Sequence, residues 1–116
     1  MKDFAGRVAV ITGAGSGFGR EFARIGARLG MRLALADVQA DALAATVAEL
    51  QGQGATVFGE RTDVSRAEDV ERLGARTVDA YGGAHLVFNN AGVATGGLAW
   101  ESSVRDWEWV LGVNLW

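Results

Sequence analysis

The apolar stretch VAVI at residues 8–11 and the glycine-rich stretch TGAGSGFG at residues 12–19 decide the fold of this chain. The first is typical of a strand buried in a parallel sheet. Because glycine has no Cβ, four glycines in seven residues allow a sharp turn and the close approach of a ligand. A helix that begins near Gly17 presents unpaired N–H groups and the positive end of its dipole. We therefore expect an anionic group, most simply a pyrophosphate, at this loop.

The spacing of the glycines narrows the kind of loop. It differs from the pattern G-x-G-x-x-G and reads T-G-x-x-x-G-x-G. A phosphate loop of the NTPase type is excluded, because Arg20 follows Gly19 and the only lysine of the chain is Lys2. Taken alone, the loop is also compatible with a tight turn that binds nothing.

Composition bounds the class of protein. With 116 residues, 49% of them hydrophobic and 22% charged, one globular domain is expected. A net charge of −3 argues against nucleic acid or an anionic membrane as a partner. The absence of cysteine excludes disulfides and thiolate chemistry. No apolar stretch approaches the ~18 residues of a membrane span, so we expect a cytoplasmic protein, and we predict no metal site.

Strand and helix patterns alternate along the whole chain. Such alternation with short links predicts a parallel sheet with helices on both faces. The third strand alternates more than the others and is therefore expected near a sheet edge. In order, the predicted segments are a strand at 8–12, a helix from 18 to Gly30, a strand at 33–36, a helix that closes at Gly52, a strand at 55–61, a helix from 65 to 81–83, a strand at 85–89 and a helix that starts at 103.

Two details concern the helices. In the first, Phe22, Ile25 and Leu29 recur at helical spacing and are predicted to form the apolar face. In the third, Ser65 and Glu68 have the spacing of a capping box, in which the serine begins the helix.

Polar residues collect where the predicted strands end. Asp37 follows the second strand, Asp63 the third, and Asn89 and Asn90 the fourth. Ligands of parallel α/β sheets bind beyond the carboxyl ends of the strands, at the point where the strand order reverses. These side chains and the glycine loop are therefore expected to lie at one edge of the sheet.

At this point several motifs together resemble a known family. The chain is similar to the N-terminal half of the short-chain dehydrogenase/reductase family from about residue 6 to the end, in T-G-x-x-x-G-x-G at 12–19, Asp37, Asp63-Val64, Asn89-Asn90-Ala91-Gly92 and Asn114. The resemblance implies a Rossmann-type doubly wound α/β fold, with only the first four strands present in the order 3-2-1-4 and the C-terminal half missing. Residues 1–116 are then expected to be the NAD-binding portion of a longer single-domain enzyme.

The cofactor residues have separate roles. Gly13 and Gly17 let the backbone approach the pyrophosphate, Gly19 lets the helix pack on the strand, and Ser16 and Phe18 offer donors. In the family resemblance, the Asp63 carboxylate binds the adenine amino group, Val64 packs near the ring, and the small residues after Asn89 lie beside the adenosine ribose. The full candidate set is Gly13, Gly15, Ser16, Gly17, Phe18, Gly19, Asp37, Asp63, Val64, Asn90, Ala91 and Gly92.

Asp37 predicts which dinucleotide is bound. It lies about twenty residues beyond the loop, where a carboxylate accepts hydrogen bonds from the ribose hydroxyls and repels a 2′-phosphate. Ser16 stands where relatives that use NADP often carry Lys or Arg, so both residues favour NAD. The alternative for Asp37 is a helix N-cap, and the alternative for Asp63 is a turn residue.

The catalytic residues are largely absent. The resemblance makes Asn114 the member of the catalytic set whose carbonyl holds a water in the proton relay; its alternative is a helix surface position. The family's serine and its Tyr-x-x-x-Lys pair are missing, since Tyr81, the only tyrosine, is followed four residues later by His85. Tyr81 is predicted to be a core residue and His85 a strand-end residue. The cofactor oxidises or reduces an alcohol/ketone substrate in the family.

The resulting hypothesis is that the full protein is an NAD-dependent oxidoreductase, and the resemblance implies that it is a homo-oligomer. This chain alone is expected to bind the cofactor at most. The alternatives are a non-catalytic NAD-binding module and an inactive structural fragment.

Overall fold

Strand and helix alternate throughout residues 4–90, the part of the chain that this computed structural model describes. The sequence predicted this order, and each predicted element in that range is present. The elements are β1 (Val8–Thr12), α1 (Gly17–Arg28), β2 (Arg32–Asp37), α2 (Ala40–Gly52), β3 (Val57–Arg61), α3 (Ala67–Tyr81) and β4 (Leu86–Asn89).

The four strands form one parallel sheet in the order β3-β2-β1-β4. This confirms the predicted α/β fold and the strand order 3-2-1-4, with β3 at an edge. The chain passes outward from β1 through β2 to β3 and then returns to the other side of β1. Thr12 pairs with Ala36 on one side and with Asn89 on the other. The switch point of the sheet therefore lies at the carboxyl end of β1.

Both faces of the sheet are covered. On one face Val8 and Val10 of β1 pack with Val70 and Leu73 of α3, and all four are fully buried. On the other face lie Ala9 and Ile11 of β1 with buried residues of β2, α1 and α2. Successive strand residues point to opposite faces, so β1 contributes to both halves of the core. This is the doubly wound arrangement that the sequence predicted.

The apolar face of α1 differs from the prediction. Small residues, namely Gly19, Ala23 and Gly26, form the buried side of the helix. Phe22, by contrast, remains 41% exposed. The reason is the close approach of helix and sheet, since a Cβ on Gly26 would lie 2.9 Å from a methyl carbon of Leu33. The predicted face, Phe22, Ile25 and Leu29, instead borders an open apolar cavity that also reaches Leu86 and Phe88 of β4.

The predicted capping box at the start of α3 is wrong. The helix begins at Ala67, and the Ser65 hydroxyl donates to the Asp63 carboxylate at 2.6 Å instead of capping a helix amide. Asp63 competes successfully for this hydroxyl because its turn places the carboxylate two residues away. The C-terminal end agrees with the prediction, because Gly82 takes the left-handed conformation, with φ of 82°, that ends the helix.

His85 joins the start of β4 to the start of β1. Its ring Nδ1 accepts the Val8 N–H at 3.0 Å, and its own N–H donates to the Val8 carbonyl at 2.8 Å. Burial lowers the pKa of the His85 imidazole, and the charges of Arg7 and Arg32 lower it further. The structure thus confirms His85 as a strand-end residue, and its lowered pKa favours the neutral imidazole.

None of the helices within residues 4–90 is long and apolar enough to traverse a bilayer.

His85 is expected to make stability fall in mild acid. Its pKa is lower in the folded than in the unfolded chain, so the stabilisation is present above the unfolded pKa and is lost as pH falls through the folded pKa. His85→Asn retains an acceptor near Nδ1 but does not ionise. We expect the free energy of unfolding to fall more steeply below pH 6.5 in the native protein than in the variant. Once the hydrogen bond to Nδ1 is lost, the native protein should have lost about 1 kcal/mol more than the variant. Denaturant titrations at several pH values measure this difference, and parallel pH profiles would contradict it.

Candidate functional site

The glycine loop runs from the end of β1 to the start of α1 and is attached to the neighbouring strand. The Ala14 N–H donates to the Ala36 carbonyl of β2 at 3.0 Å. Gly13 and Gly17 have φ values of 66° and 56°, in the left-handed region that residues with a Cβ rarely adopt. Glycine at these two positions is therefore a conformational requirement of the loop.

Gly19 is required for a different reason. A Cβ at this position would overlap the carbonyl group of Gly13. The sequence predicts that Gly19 lets the helix pack on the strand. In the structure the close contact is instead between Gly19, in the first turn of α1, and Gly13, in the loop that follows β1. Gly19 therefore allows the loop to fold against the helix.

The N-terminal end of α1 supplies donors for an anion. The helix begins at Gly17, and Ser16 takes an extended conformation at the N-cap without a side-chain cap hydrogen bond in the described structure. Helix geometry leaves the first N–H groups, from Gly17 to Gly19, without an intrahelical acceptor. Ser16 and Phe18 are both exposed, Phe18 by 75%. This geometry fits a phosphate group, since the donors and the positive helix end lie together.

Asp37 lies beside the glycine loop at the end of β2. Its Oδ2 accepts the Gly15 N–H at 2.8 Å, and its Oδ1 accepts the Gln39 N–H at 2.9 Å. The alternative N-cap interpretation is wrong in position, because α2 begins at Ala40 and Gln39 occupies the N-cap. A carboxylate has about four acceptor sites, so Asp37 retains capacity for ribose hydroxyls.

Asp63 forms a turn after β3. Its Oδ1 accepts both the Ser65 N–H at 3.0 Å and the Ser65 hydroxyl, and these hydrogen bonds hold the pKa of the Asp63 carboxyl below its usual range. The turn interpretation is thus correct, and it leaves Oδ2 for a ligand. Val64 is only 6% exposed and packs in the core between the sheet and α3. Its side chain therefore faces the core.

Sequence reasoning missed Asp69. This carboxylate, in the first turn of α3, is 6% exposed and accepts the Asp63 N–H at 3.0 Å. That hydrogen bond, followed by one from Arg72 at 3.3 Å, lowers the pKa of the Asp69 carboxyl. The available signal was its position four residues before Leu73, which places a charged residue on the apolar stripe of the helix.

The end of β4 is attached to the end of β1. The Thr12 hydroxyl donates to Asn89 Oδ1 at 2.7 Å, and the Asn90 amide group makes a long contact of 3.5 Å with the Gly13 carbonyl. Asn89 thus has a structural role, because its side chain joins the ends of β1 and β4. Ala91, Gly92 and Asn114, as well as the predicted helix from 103, lie outside the described residues.

Tyr81 lies at the opposite end of the sheet. Its hydroxyl donates to the Leu33 carbonyl, near the start of β2, at 2.9 Å. Burial raises the pKa of this phenol. The structure confirms Tyr81 as a packing residue that is remote from the glycine loop.

A glycine loop after the first strand of a parallel α/β sheet is typical of dinucleotide-binding proteins. Comparison with known families agrees with this class. The model of the short chain dehydrogenase family matches residues 7–116, and the chain belongs to this family.

Individual relatives agree with this assignment. The chain is 38% identical over 115 residues to a CLA biosynthesis dehydrogenase/reductase of Lactiplantibacillus plantarum, covering 99% of this chain and 40% of the relative. Among solved structures, a short chain dehydrogenase/reductase from Burkholderia phymatum in complex with NAD is 44% identical, with a TM-score of 0.86 over 92% of this chain and 46% of that one. An L-sorbose reductase from Gluconobacter frateurii, complexed with NADPH and L-sorbose, is 25% identical with a TM-score of 0.80, covering 88% and 47%. The chain thus spans less than half the length of these relatives.

We expect Gly19→Ala to abolish tight dinucleotide binding, because the added Cβ would displace the Gly13 carbonyl and distort the loop. Gly52→Ala is the matched control, since a Cβ at the end of α2 meets nothing within 4 Å. Titration of NADH fluorescence should show that Gly19→Ala binds NADH at least tenfold more weakly than the native protein, a loss of about 1.4 kcal/mol in binding free energy. Gly52→Ala should bind NADH as tightly as the native protein. Equal affinities in the two variants would contradict the assigned role.

Proposed function

We propose that this chain is the dinucleotide-binding portion of an NAD-dependent oxidoreductase that interconverts an alcohol and a ketone. One observation carries the proposal. The free amides at the start of α1 and the Asp37 carboxylate lie beyond the carboxyl ends of the neighbouring strands β1 and β2, and the Gly15 N–H of the loop before α1 donates to Asp37. A diphosphate and an adjoining ribose require donors and an acceptor in this relation.

The remaining assignments follow the same site. Gly13, Gly15, Ser16, Gly17, Phe18 and Gly19 would hold the pyrophosphate, Asp63 and Val64 the adenine, and Asn90, Ala91 and Gly92 the adenosine ribose. Only the backbone of Val64 and the edge of its side chain would be available to the ring, since the side chain is buried. When bound, the nicotinamide supplies or accepts hydride.

The preference for NAD rests on charge. A 2′-phosphate at Asp37 would place two negative groups together, and Ser16 contributes no cation to compensate. One solved relative is in complex with NAD and another with NADPH, so the proposed preference depends on Asp37 and Ser16 of this chain.

Catalysis would need residues that this chain lacks. Asn114 is proposed to serve the proton relay through its carbonyl, but the serine and the Tyr-x-x-x-Lys pair are not in the sequence. We propose that residues 1–116 are the N-terminal portion of a longer, homo-oligomeric single-domain enzyme. This is supported by the fact that the chain covers only 40% to 47% of the length of its relatives.

A non-catalytic NAD-binding module is the second candidate. The observation that favours it is Tyr81, the only tyrosine, whose hydroxyl is bonded to Leu33 far from the loop. The gene sequence after codon 116 separates the candidates, because the enzyme requires a Tyr-x-x-x-Lys signature there and the module does not.

We expect the protein at its natural length to bind NADH at least about tenfold more tightly than NADPH, through repulsion between Asp37 and the 2′-phosphate. Fluorescence titration at two ionic strengths measures this ratio. Because salt screens charges, the ratio should narrow at high salt. Equal affinities, or tighter binding of NADPH, would refute the proposed preference.

The 116-residue chain expressed alone is expected to associate through the apolar cavity face. Phe22→Glu together with Ile25→Glu should weaken the association, because both side chains line that cavity and are about 40% exposed. Val38→Glu is the control, since Val38 is 48% exposed but does not line the cavity. Sedimentation equilibrium gives the masses. A stable, folded monomer of the unaltered chain would contradict the expectation.

A further inference from the structure

The Asp37 carboxylate accepts hydrogen bonds from two backbone N–H groups, that of Gly15 in the glycine loop and that of Gln39 in the turn into α2. We propose that Asp37 is a positioning residue for the glycine loop, in addition to its part in cofactor choice. The proposal rests on the proposed function for its meaning, since a positioned loop matters only if it binds a phosphate. The contact itself belongs to the protein without ligand.

The location of the contact supports a positioning role. Gly15 is in the middle of the loop, and its N–H bond to Asp37 spans 22 residues of sequence. The adjacent Ala14 N–H is bound by the Ala36 carbonyl. The last two residues of β2 therefore hold two successive amides of the loop. The hydrogen bond to Asp37 is charge-assisted, and such bonds are stronger than neutral ones.

Gly15 explains why the contact is possible. Its φ is not in the left-handed region, so the backbone conformation alone does not require glycine. A Cβ, however, would lie 2.9 Å from Asp37 Oδ2 and 2.8 Å from the Ala42 Cβ. Distances below 3.0 Å are essentially not observed for real Cβ atoms. Because Gly15 has no side chain, the Asp37 carboxylate can approach its N–H group.

This arrangement couples two parts of the cofactor site. If Asp37 only accepted ribose hydroxyls, its replacement would affect only ligands that carry them. If it also positions the loop, its replacement weakens the binding of the diphosphate as well. A substitution chosen to admit a 2′-phosphate would then reduce affinity for every dinucleotide.

The test uses the protein at its natural length and two probes, ADP and 2′,3′-dideoxy-ADP, whose ribose has no hydroxyls. Asp37→Asn should bind both probes about tenfold more weakly than the native protein, the loss expected for a hydrogen bond to a charged group. Asp41→Asn is the matched control, an exposed carboxylate in the first turn of α2. Its affinities should equal those of the native protein. Unchanged binding of the dideoxy probe by Asp37→Asn would overturn the proposal.

A second measurement needs no ligand. Amide hydrogen exchange in the free protein should become faster at Gly15 in Asp37→Asn, while β1 and β2 keep their protection. Uniformly faster exchange over the sheet would indicate global destabilisation and overturn the proposal. If the native protein binds neither probe, the proposed function fails, and this measurement still decides whether Asp37 holds the loop.

Gly15→Ala provides an independent variant, because it keeps the carboxylate and displaces it from the Gly15 N–H. It should weaken binding of the dideoxy probe, and the double variant with Asp37→Asn should bind no more weakly than the weaker single variant. Fully additive losses would show that the two residues act separately, and would overturn the proposal.

Discussion

The parallel pairing of β1 with β2 on one side and β4 on the other is the interaction on which the site depends. It brings the carboxyl ends of three strands to one edge, where Thr12 pairs with both Ala36 and Asn89. Because β1 is buried on both faces and between two neighbours, its position is determined by hydrogen bonds and by packing together. The glycine loop then emerges at a defined place, and the amides at the start of α1 face the same edge.

Carboxylates secure the loops around this edge. Asp37, Asp63 and Asp69 each accept at least one hydrogen bond from a backbone N–H group of a loop or turn. Backbone donors in a turn lack the regular partners of helices and strands, so side chains or water must satisfy them. Two of these residues, Asp37 and Asp63, are also proposed to bind the dinucleotide, whereas Asp69 supports the turn that holds Asp63. At Asp37 and Asp63 a substitution is therefore expected to change loop structure and proposed binding together.

Much of this could be predicted from the sequence, and the failures have physical causes. Hydrophobic periodicity located every described helix and strand, because burial on both faces leaves near-continuous apolar strands. Periodicity could not show that α1 approaches the sheet through Gly19, Ala23 and Gly26, which leaves Phe22 at the rim. The capping box failed because local spacing does not reveal that Asp63 takes the Ser65 hydroxyl. The cofactor residues remain predictions.

The sequence by itself determined the alternating α/β order and the glycine loop, and the motifs that resemble the family to which the chain belongs implied the sheet topology. These depend on local patterns and on motifs at set spacings, which the chain carries whatever its surroundings. Only the tertiary structure decided that Asp37 binds Gly15, that Asp69 is buried beneath Asp63, and that Tyr81 lies at the far end of the sheet. These contacts join residues distant in the chain or set by packing, and their partners become known only when the strands are in register.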